Sequence, residues 1–254
     1  MSMLKAEGIV KDFGGLRAIN HCFIEVEKGS IVGLIGPNGA GKTSLFNVIT
    51  GMYKPDAGRV IFKGEDITGL RPDQICLKGI TRTFQISREL KVMTLLENIM
   101  LGFKDQRGEN IVRGILNPVS VKEQEKRNLE RSLEILEAMK LYELRNESAA
   151  ILSGGQRKML ELGQALATGP EMLLLDEPTA GATAGETAMV VSFIRRMREE
   201  QGLTILIVEH KMEVIMGICD KIIVMSYGEK LMEGSAEEVR QNEQVREAYL
   251  GRGA

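Results

Sequence analysis

The feature that most constrains this chain is a glycine-rich octapeptide, GPNGAGKT at 36–43, which lies between an apolar run and a helical pattern. The run at 30–35 is typical of a strand buried on both faces, and 44–50 is typical of a helix that ends before Gly51. The octapeptide fits the phosphate-loop pattern G-x-x-x-x-G-K-S/T, which requires this strand–loop–helix order. The sequence therefore predicts a phosphate-binding loop in an α/β core.

The residue types in this loop suit phosphate chemistry. Three glycines, Gly36, Gly39 and Gly41, let backbone N–H groups converge on phosphate oxygens without an intervening side chain. Lys42 can bring a positive charge to the β- and γ-phosphates, and the Thr43 hydroxyl can bind Mg²⁺. The helix that follows directs the positive end of its dipole at the same anion.

A second pattern, MLLLDE at 172–177, places two carboxylates at the end of another apolar run. A buried strand here would deliver Asp176 beside the phosphate loop, where it could hold Mg²⁺ through water. Glu177 would then accept a proton from the attacking water as a general base. An Asp-Glu pair can also simply end a strand at the surface, but the phosphate loop upstream favours the catalytic interpretation.

A third pattern is LSGGQ at 152–156. Ser153 and Gln156 have the spacing of a capping box, which predicts a helix that begins here. Gly154 and Gly155 would leave the first turn of that helix bare, and a bare helix N-terminus is an anion site. The chain therefore carries two predicted phosphate-binding elements.

The rest of the sequence divides into α/β segments and a helical middle. The first 35 residues are typical of β structure, and strands alternate with helices again after residue 150, which predicts a mainly parallel sheet. Between them, Ser120 and Glu123 have capping-box spacing and predict the start of a long amphipathic helix. We therefore predict a single domain, 1–254, with an α/β phosphate-loop NTPase core (1–85 and 151–254), an N-terminal antiparallel β subdomain and an inserted helical subdomain (about 86–150).

Composition argues against several classes of protein. The net charge is −2 and the pI is about 5.9, so the chain has no overall basic field to hold nucleic acid. Three separate cysteines argue against a disulfide framework and fit a reducing compartment. No apolar run approaches the ~20 residues that cross a bilayer, and the N-terminus lacks an apolar signal core. We therefore expect any membrane contact to be made through a partner.

Together, GPNGAGKT, LSGGQ and MLLLDEP, with Gln85 and His210 at suitable positions, resemble the nucleotide-binding subunits of ATP-binding-cassette (ABC) transporters. The resemblance covers nearly the whole chain. Thr-Phe-Gln at 83–85, Asp-Phe-Gly-Gly-Leu at 12–16 and the long insert before LSGGQ are most similar to one ATPase of the branched-chain amino acid importers. The urea importers are close in pattern.

The resemblance implies ATP and Mg²⁺ as ligands and assigns roles to single residues. Phe13 would stack on adenine, Gln85 would contact Mg²⁺ and the attacking water, and His210 would contact the γ-phosphate. The implied catalytic residues are Glu177, His210 and Gln85. The implied Mg²⁺ ligands are Thr43, Gln85 and, through water, Asp176. The implied ATP-binding residues are Phe13, Gly36, Pro37, Asn38, Gly39, Ala40, Gly41, Lys42, Thr43 and Ser44. The implied signature residues, which would contact the ATP held by another subunit, are Leu152, Ser153, Gly154, Gly155 and Gln156.

The resemblance also implies a mechanism with two ATPase subunits. They would pack head to tail, with each ATP between one phosphate loop and the opposite LSGGQ, so that ATP binding closes the pair and hydrolysis opens it. The implied partners are a second ABC ATPase subunit, identical or different, two integral membrane permease subunits and, indirectly, an extracytoplasmic substrate-binding protein, with no nucleic acid. The chain would lie at the cytoplasmic face of the cell membrane. Segment 86–103 could dock on the permeases, although its apolar residues also fit a helical core.

One segment departs from the family pattern. After the tetrapeptide at 178–181 the family has Leu, then Asn or Asp, then Pro, whereas this chain has Ala-Thr-Ala at 182–184. This segment lies at the dimer interface in the family. We therefore hypothesise slightly weaker coupling between the two ATP sites, with Glu177 still catalytic.

Several alternative functions share part of this pattern. The ATPase of a lipid or lipopolysaccharide exporter is similar in these motifs. A soluble ABC ATPase of translation or DNA repair usually carries two cassettes or a long coiled-coil insertion, and this chain shows one cassette and a modest insert. A small-molecule kinase would share the phosphate loop but has no use for LSGGQ. The pattern therefore favours the ATPase subunit of an importer.

Overall fold

The computed structural model describes residues 2–83, 90–104 and 118–250, so Gln85 lies outside the described residues. These residues belong to two compact units. The first takes its described residues from Met1–Arg82, Glu171–Ala180 and Ile194–Ala254, and the second from Thr83–Pro170 and Gly181–Phe193. Within the described ranges, no helix combines the length and the apolar character that a membrane crossing requires.

The first unit contains two β-sheets, which confirm the predicted fold class. A six-stranded sheet has the order β10-β9-β3-β8-β7-β6, in which five strands are parallel and β10 is antiparallel at one edge. A four-stranded antiparallel sheet has the order β2-β1-β4-β5. The strands are β1 (Ser2–Phe13), β2 (Leu16–Glu27), β3 (Ile31–Ile35), β4 (Ala57–Phe62), β5 (Glu65–Asp66), β6 (Ile80–Arg82), β7 (Met172–Asp176), β8 (Thr204–Val208), β9 (Lys221–Ser226) and β10 (Glu229–Gly234).

The helices follow the strands in the alternating order that parallel sheets require. The α-helices are α1 (Lys42–Ile49), α2 (Pro72–Lys78), α3 (Leu95–Met100), α4 (Pro118–Ala138), α5 (Gly154–Ala167), α6 (Ala184–Gln201), α7 (Met212–Ile218), α8 (Ala236–Gln241) and α9 (Glu243–Leu250). Two short 3₁₀ helices, Tyr142–Leu144 and Ala149–Ile151, precede α5.

Three central strands bring the site loops together at the carboxyl ends of the parallel strands of the six-stranded sheet. Every residue of β3, β7 and β8 is buried, as expected for parallel strands covered on both faces. Leu34 and Asp176 both pair with Val208 across β8. Because parallel strands end on the same side, the loops after β3, β7 and β8 emerge side by side.

The start of α4 differs from the prediction. Ser120 lies inside the helix, which already includes Pro118, so the predicted Ser120–Glu123 capping box is wrong. Proline fits the first turn of a helix because an N–H there has no intrahelical partner. The buried face of α4 contains Ile135 and Leu136, and Met139 is buried directly after the helix. Most of the charged cluster at 122–127 is exposed, as predicted.

The second unit is larger than the predicted insert. It contains α5 and residues 181–193, which the sequence pattern places in the α/β core. Helix α5 packs against α3 and α4. Its buried side chains include Met159, Leu160 and Leu162, and these helices supply the apolar surface that covers them.

Asn98 on α3 provides a test of how the second unit holds segment 90–94. Its amide group is buried, donates to the carbonyl oxygens of Leu90 and Thr94 at 3.1 and 2.9 Å, and accepts from the N–H of Leu90 at 2.9 Å. We expect Asn98→Ala to lower the free energy of unfolding by about 1–3 kcal/mol, because it leaves buried polar groups without partners. Denaturant unfolding measures this, with the exposed Asn146→Ala as the control. Equal stability of the two variants would contradict the prediction.

Candidate nucleotide-binding site

The phosphate loop connects β3 to α1 and contains two glycines, Gly36 and Gly41, at which a Cβ atom would clash. Gly36 and Gly41 have φ values of 150° and 98°. A Cβ atom at Gly36 would lie 2.1 Å from the carbonyl oxygen of Met225, and one at Gly41 would lie 2.5 Å from that of Ala18. The sheet backbone therefore packs directly against the loop, which fixes the direction of its N–H groups.

Lys42 is held inside the mouth of this loop. Lys42 is only 6% exposed, and its Nζ donates to the carbonyl oxygens of Gly36 and Pro37 at 2.7 and 3.0 Å. Burial lowers the pKa of Lys42, while the charges of Glu177 and Asp176 raise it. The loop thus keeps a cation close to two carboxylates.

Asp176 ends β7 in a buried ion pair that the sequence did not predict. The Arg82 guanidinium, at the end of β6, donates to Asp176 Oδ2 at 2.6 Å and to Asn47 Oδ1 at 2.5 Å. The same guanidinium lies 5.5 Å from the centre of the Phe46 ring. The strand register brings these groups together, because β6 pairs with β7. Arg82 therefore fixes the orientation of the Asp176 carboxylate.

The residues present fit a Mg²⁺ ion that is bound mainly by phosphates and water. Thr43 is exposed in the first turn of α1, and Asp176 is the last residue of β7. Within residues 2–83, 90–104 and 118–250, no group of three or more His, Cys, Asp or Glu side chains could hold a metal. Mg²⁺ commonly takes one or two protein ligands and completes its shell with phosphate oxygens and water. The Thr43 hydroxyl and the Asp176 carboxylate suit that mode.

Glu177 and His210 meet at the carboxyl ends of β7 and β8. Glu177 Oε1 lies 2.9 Å from His210 Nε2. Glu177 has a φ of 51°, in the left-handed region that a non-glycine residue adopts at a cost, and such strain is concentrated at functional sites. The structure therefore brings together two residues that lie 33 positions apart and that were assigned catalytic roles on separate grounds.

Phe13 lies at the end of β1 with a second aromatic ring beside it. The Tyr53 ring packs edge-on against Phe13, with ring centroids 5.1 Å apart, and Lys11 Nζ lies 5.5 Å from the Phe13 ring. Both aromatic side chains are exposed. The pair offers an aromatic surface suited to a nucleobase, and Tyr53 is a residue that sequence reasoning missed.

The LSGGQ segment begins α5 as predicted. Ser153 Oγ accepts from the N–H of Gln156 at 3.2 Å, and Gln156 Oε1 accepts from the N–H of Ser153 at 2.9 Å. This reciprocal pair confirms the predicted capping box. Leu152 is buried, and its carbonyl oxygen accepts two hydrogen bonds from the Arg157 guanidinium.

The predicted bare start of α5 is wrong, because an acidic side chain covers it. Glu186 Oε1 accepts from Ser153 Oγ at 3.0 Å and from the N–H of Gly155 at 2.8 Å. Its other oxygen, Oε2, accepts from the N–H and the hydroxyl of Thr183, each at 3.0 Å. A Cβ atom at Gly155 would lie 2.4 Å from Glu186 Cγ, so glycine is needed here to admit the carboxylate.

Glu186 also links this helix start to the segment that departs from the family pattern. Thr183 caps α6, because its hydroxyl accepts from the N–H of Glu186 at 3.3 Å. The spacing Thr-x-x-Glu at 183–186 is itself a capping box, and this signal could have identified Glu186 from the sequence. Backbone N–H groups of Thr183 and Gly155 and the hydroxyls of Thr183 and Ser153 lower the pKa of Glu186 to about 2.

A phosphate loop after a buried parallel strand, followed by a strand that ends in Asp-Glu, defines a nucleoside-triphosphate-binding cassette. The sequence model of the family described as ABC transporter matches residues 19–180. A second model, described as branched-chain amino acid ATP-binding cassette transporter, matches residues 229–254. The chain belongs to the ABC transporter ATPase family, and it is the ATP-hydrolysing subunit of a transporter.

Known proteins resemble the chain over nearly its full length. This chain is 39% identical to the high-affinity branched-chain amino acid transport ATP-binding protein BraF of Pseudomonas aeruginosa, with 98% of each chain covered. The crystal structure of a nucleotide-free ATP-binding cassette from an ABC transporter matches with a TM-score of 0.86 and 38% identity, covering 99% of this chain and 100% of the other. A dimeric post-hydrolysis structure of the cassette MJ0796 with ADP and Pi matches with a TM-score of 0.74 and 25% identity, covering 92% of this chain and 99% of the other.

The low pKa of Glu186 predicts a specific pH dependence of stability. Its pKa lies below the ordinary value of 4.5 in the folded state, so its contribution is complete above that value and is lost as the pH falls toward about 2. We expect Glu186→Gln to unfold at a lower temperature than the parent chain at pH 6, and the difference to disappear by about pH 2. Thermal unfolding followed by circular dichroism measures this. The exposed Glu199→Gln controls for the loss of one carboxylate, and a Glu186→Gln difference independent of pH would refute the assignment.

Proposed function

We propose that this chain powers an importer of branched-chain amino acids, through ATP-driven dimerisation with a second ATPase subunit. The observation that carries the proposal is the match of residues 229–254 to the branched-chain amino acid cassette model. The name of the Pseudomonas aeruginosa relative supports the same substrate class. The C-terminal match favours this function over a urea importer or an exporter, because it lies outside the motifs that all ABC ATPases share.

The chemistry of hydrolysis follows from the groups at the sheet edge. Lys42 holds the β- and γ-phosphates, and ATP replaces the carbonyl oxygens that now accept from its ammonium. Glu177 takes a proton from the attacking water, and His210 contacts the γ-phosphate. Thr43 and, through water, Asp176 would hold Mg²⁺, which would neutralise part of the negative charge on the phosphates. Gln85 lies outside the described residues, so its role as a further ligand stays a prediction.

The signature contributes to the ATP bound by the partner subunit. Ser153 Oγ and the N–H of Gly155 are donors suited to a γ-phosphate, but both now donate to Glu186. A phosphate from the partner must therefore displace this carboxylate, which also feels the repulsion of the incoming negative charge. Dimer closure consequently includes a rearrangement of the Thr183–Glu186 turn. This supports the hypothesis that the Ala-Thr-Ala segment at 182–184 weakens coupling between the two sites.

Part of segment 86–103 suits docking on two integral membrane permeases at the cytoplasmic face of the membrane, which an extracytoplasmic binding protein would supply with substrate. Residues 84–89 lie outside the described residues, but Leu90 and Val92 are exposed, Val92 to 95%. Leu95 and Ile99, in the helix that follows, are fully buried. Exposed apolar groups on a firmly packed support are suited to a protein interface.

The importer assignment is tested by affinity purification of the tagged chain from detergent-solubilised cells, with mass spectrometry of its partners. We expect two polytopic membrane proteins and a second ABC ATPase. Val92→Asp should reduce recovery of the membrane proteins by about tenfold, since loss of one apolar anchor costs roughly 1.4 kcal/mol. Val119→Asp, another exposed valine of the second unit, is the matched control. Reproducible recovery of only soluble ribosomal or repair proteins would reject transport.

Glu177→Gln tests the catalytic assignment. We expect hydrolysis to fall by about 100-fold or more while ATP binding is retained, because only the base is neutralised. Lys42→Ala provides the contrast, since removal of the charge that faces the phosphates should weaken ATP binding itself. Steady-state turnover and equilibrium binding of a fluorescent ATP analogue measure the two effects. Undiminished turnover by Glu177→Gln would show that Glu177 is not the base.

A further inference from the structure

A buried carboxylate that no motif accounts for lies directly behind the catalytic pair. Glu209 follows β8 and is 3% exposed. Its Oε1 accepts from the N–H of Thr179 at 2.7 Å and from the Thr179 hydroxyl at 2.6 Å. Its Oε2 accepts from the N–H of His210 at 3.1 Å. Both oxygens therefore face donors, and the two donor residues come from two different site loops.

These bonds complete a closed path of contacts that includes Glu177 and His210. Thr179 lies two positions after Glu177, and His210 directly follows Glu209. His210 Nε2 returns to Glu177 Oε1 at 2.9 Å, so the path from Glu177 through Thr179, Glu209 and His210 ends where it began. Displacement of Glu209 would move the backbone of both loops, and with it the distance between the His210 ring and the Glu177 carboxylate.

Only a carboxylate satisfies this arrangement. Two donors approach Oε1 and one approaches Oε2, so both oxygens must accept. An amide would instead present an N–H₂ group at one of these positions. Among the described residues, the hydrogen bonds that Glu209 accepts come from neutral donors of Thr179 and His210, and the side chain is buried. Burial of a charge is costly. A purely structural link between two loops could use neutral groups, so the cost points to a requirement for stiff, charge-assisted hydrogen bonds.

We propose that Glu209 is a positioning residue for ATP hydrolysis, which sets the geometry of His210 relative to Glu177 by tying the two loops together. The proposal rests on the roles proposed above for Glu177 and His210. It does not give Glu209 any contact with nucleotide. A misplacement of about 1 Å at a reacting centre can lower the rate about 100-fold.

Two variants test the proposal through turnover. Glu209→Gln should lower kcat by about 10- to 100-fold and change the KM for ATP by less than about threefold, because the phosphate loop is untouched. Thr179→Val keeps the backbone N–H and removes only the hydroxyl donor, so it should lower kcat in the same direction by a smaller factor. Glu199→Gln, an exposed carboxylate of the same unit, is the control and should match the parent chain. Wild-type kcat in a folded Glu209→Gln or Thr179→Val variant would overturn the proposal.

A double-mutant cycle separates this proposal from the catalytic assignment itself. If Glu209 acts through His210, then Glu209→Gln should lower kcat much less in a His210→Ala background than in the parent chain. Equal factors in the two backgrounds would overturn the proposal while leaving Glu177 and His210 catalytic. Full turnover by His210→Ala would instead reject the role of His210. Should Glu209→Gln fail to fold, the same cycle with Thr179→Val decides.

The position of the His210 ring can also be monitored without an activity assay. The chain has two histidines, His21 and His210, so the ring signals of selectively labelled histidine can be assigned by a single substitution. Glu209→Gln and Thr179→Val should each shift the His210 ring resonances and leave those of His21 in place. Unmoved His210 resonances in both variants would contradict a positioning role.

Discussion

Complete burial of three parallel strands is the constraint on which the nucleotide site depends. Strands β3, β7 and β8 expose no residue, so they must lie side by side within the sheet, and their register is fixed by apolar contacts on both faces. Their ends therefore place the phosphate loop, the Asp-Glu pair and the loop that contains His210 at one edge. The geometry of this candidate site is a consequence of packing, since no contact among these polar groups could align strands that were free to slip.

The charged groups at this edge are satisfied by the protein itself. Lys42 donates to loop carbonyl oxygens, Arg82 pairs with Asp176, and Glu177 contacts His210. The partners of Asp176 and Glu177 hold these two side chains in one orientation before a ligand arrives, which lowers the reorganisation needed during the reaction. The positive φ of Glu177 belongs to the same arrangement, because the surrounding hydrogen bonds stabilise a strained backbone.

The sequence predicted the parts that follow from local rules. The phosphate loop, the Ser153–Gln156 cap and the mainly parallel sheet depend on short-range spacing and on runs of buried residues, and all three are present. The ion pair of Arg82 with Asp176 could not be predicted, because it depends on which strands are neighbours and not on any motif. Glu186 was missed although the Thr183 spacing signals a cap, since a helix start rich in glycine was interpreted as empty. Tyr53 gave no local signal, because its contact with Phe13 joins the turn after α1 to the end of β1, which are far apart in the sequence.

The two anion-binding elements are prepared for phosphate in opposite ways. At the phosphate loop a cation is held by neutral carbonyl oxygens, so an arriving phosphate is a better partner than the groups it replaces. At the start of α5 an anion is already bound, with four hydrogen bonds and a pKa of about 2. A phosphate there gains only the difference between its own interactions and those of Glu186. In the proposed dimer, ATP binding to one subunit is therefore intrinsically favourable, whereas contact with the opposite signature depends on the rest of the interface, which makes closure the step at which the partner subunit exerts control.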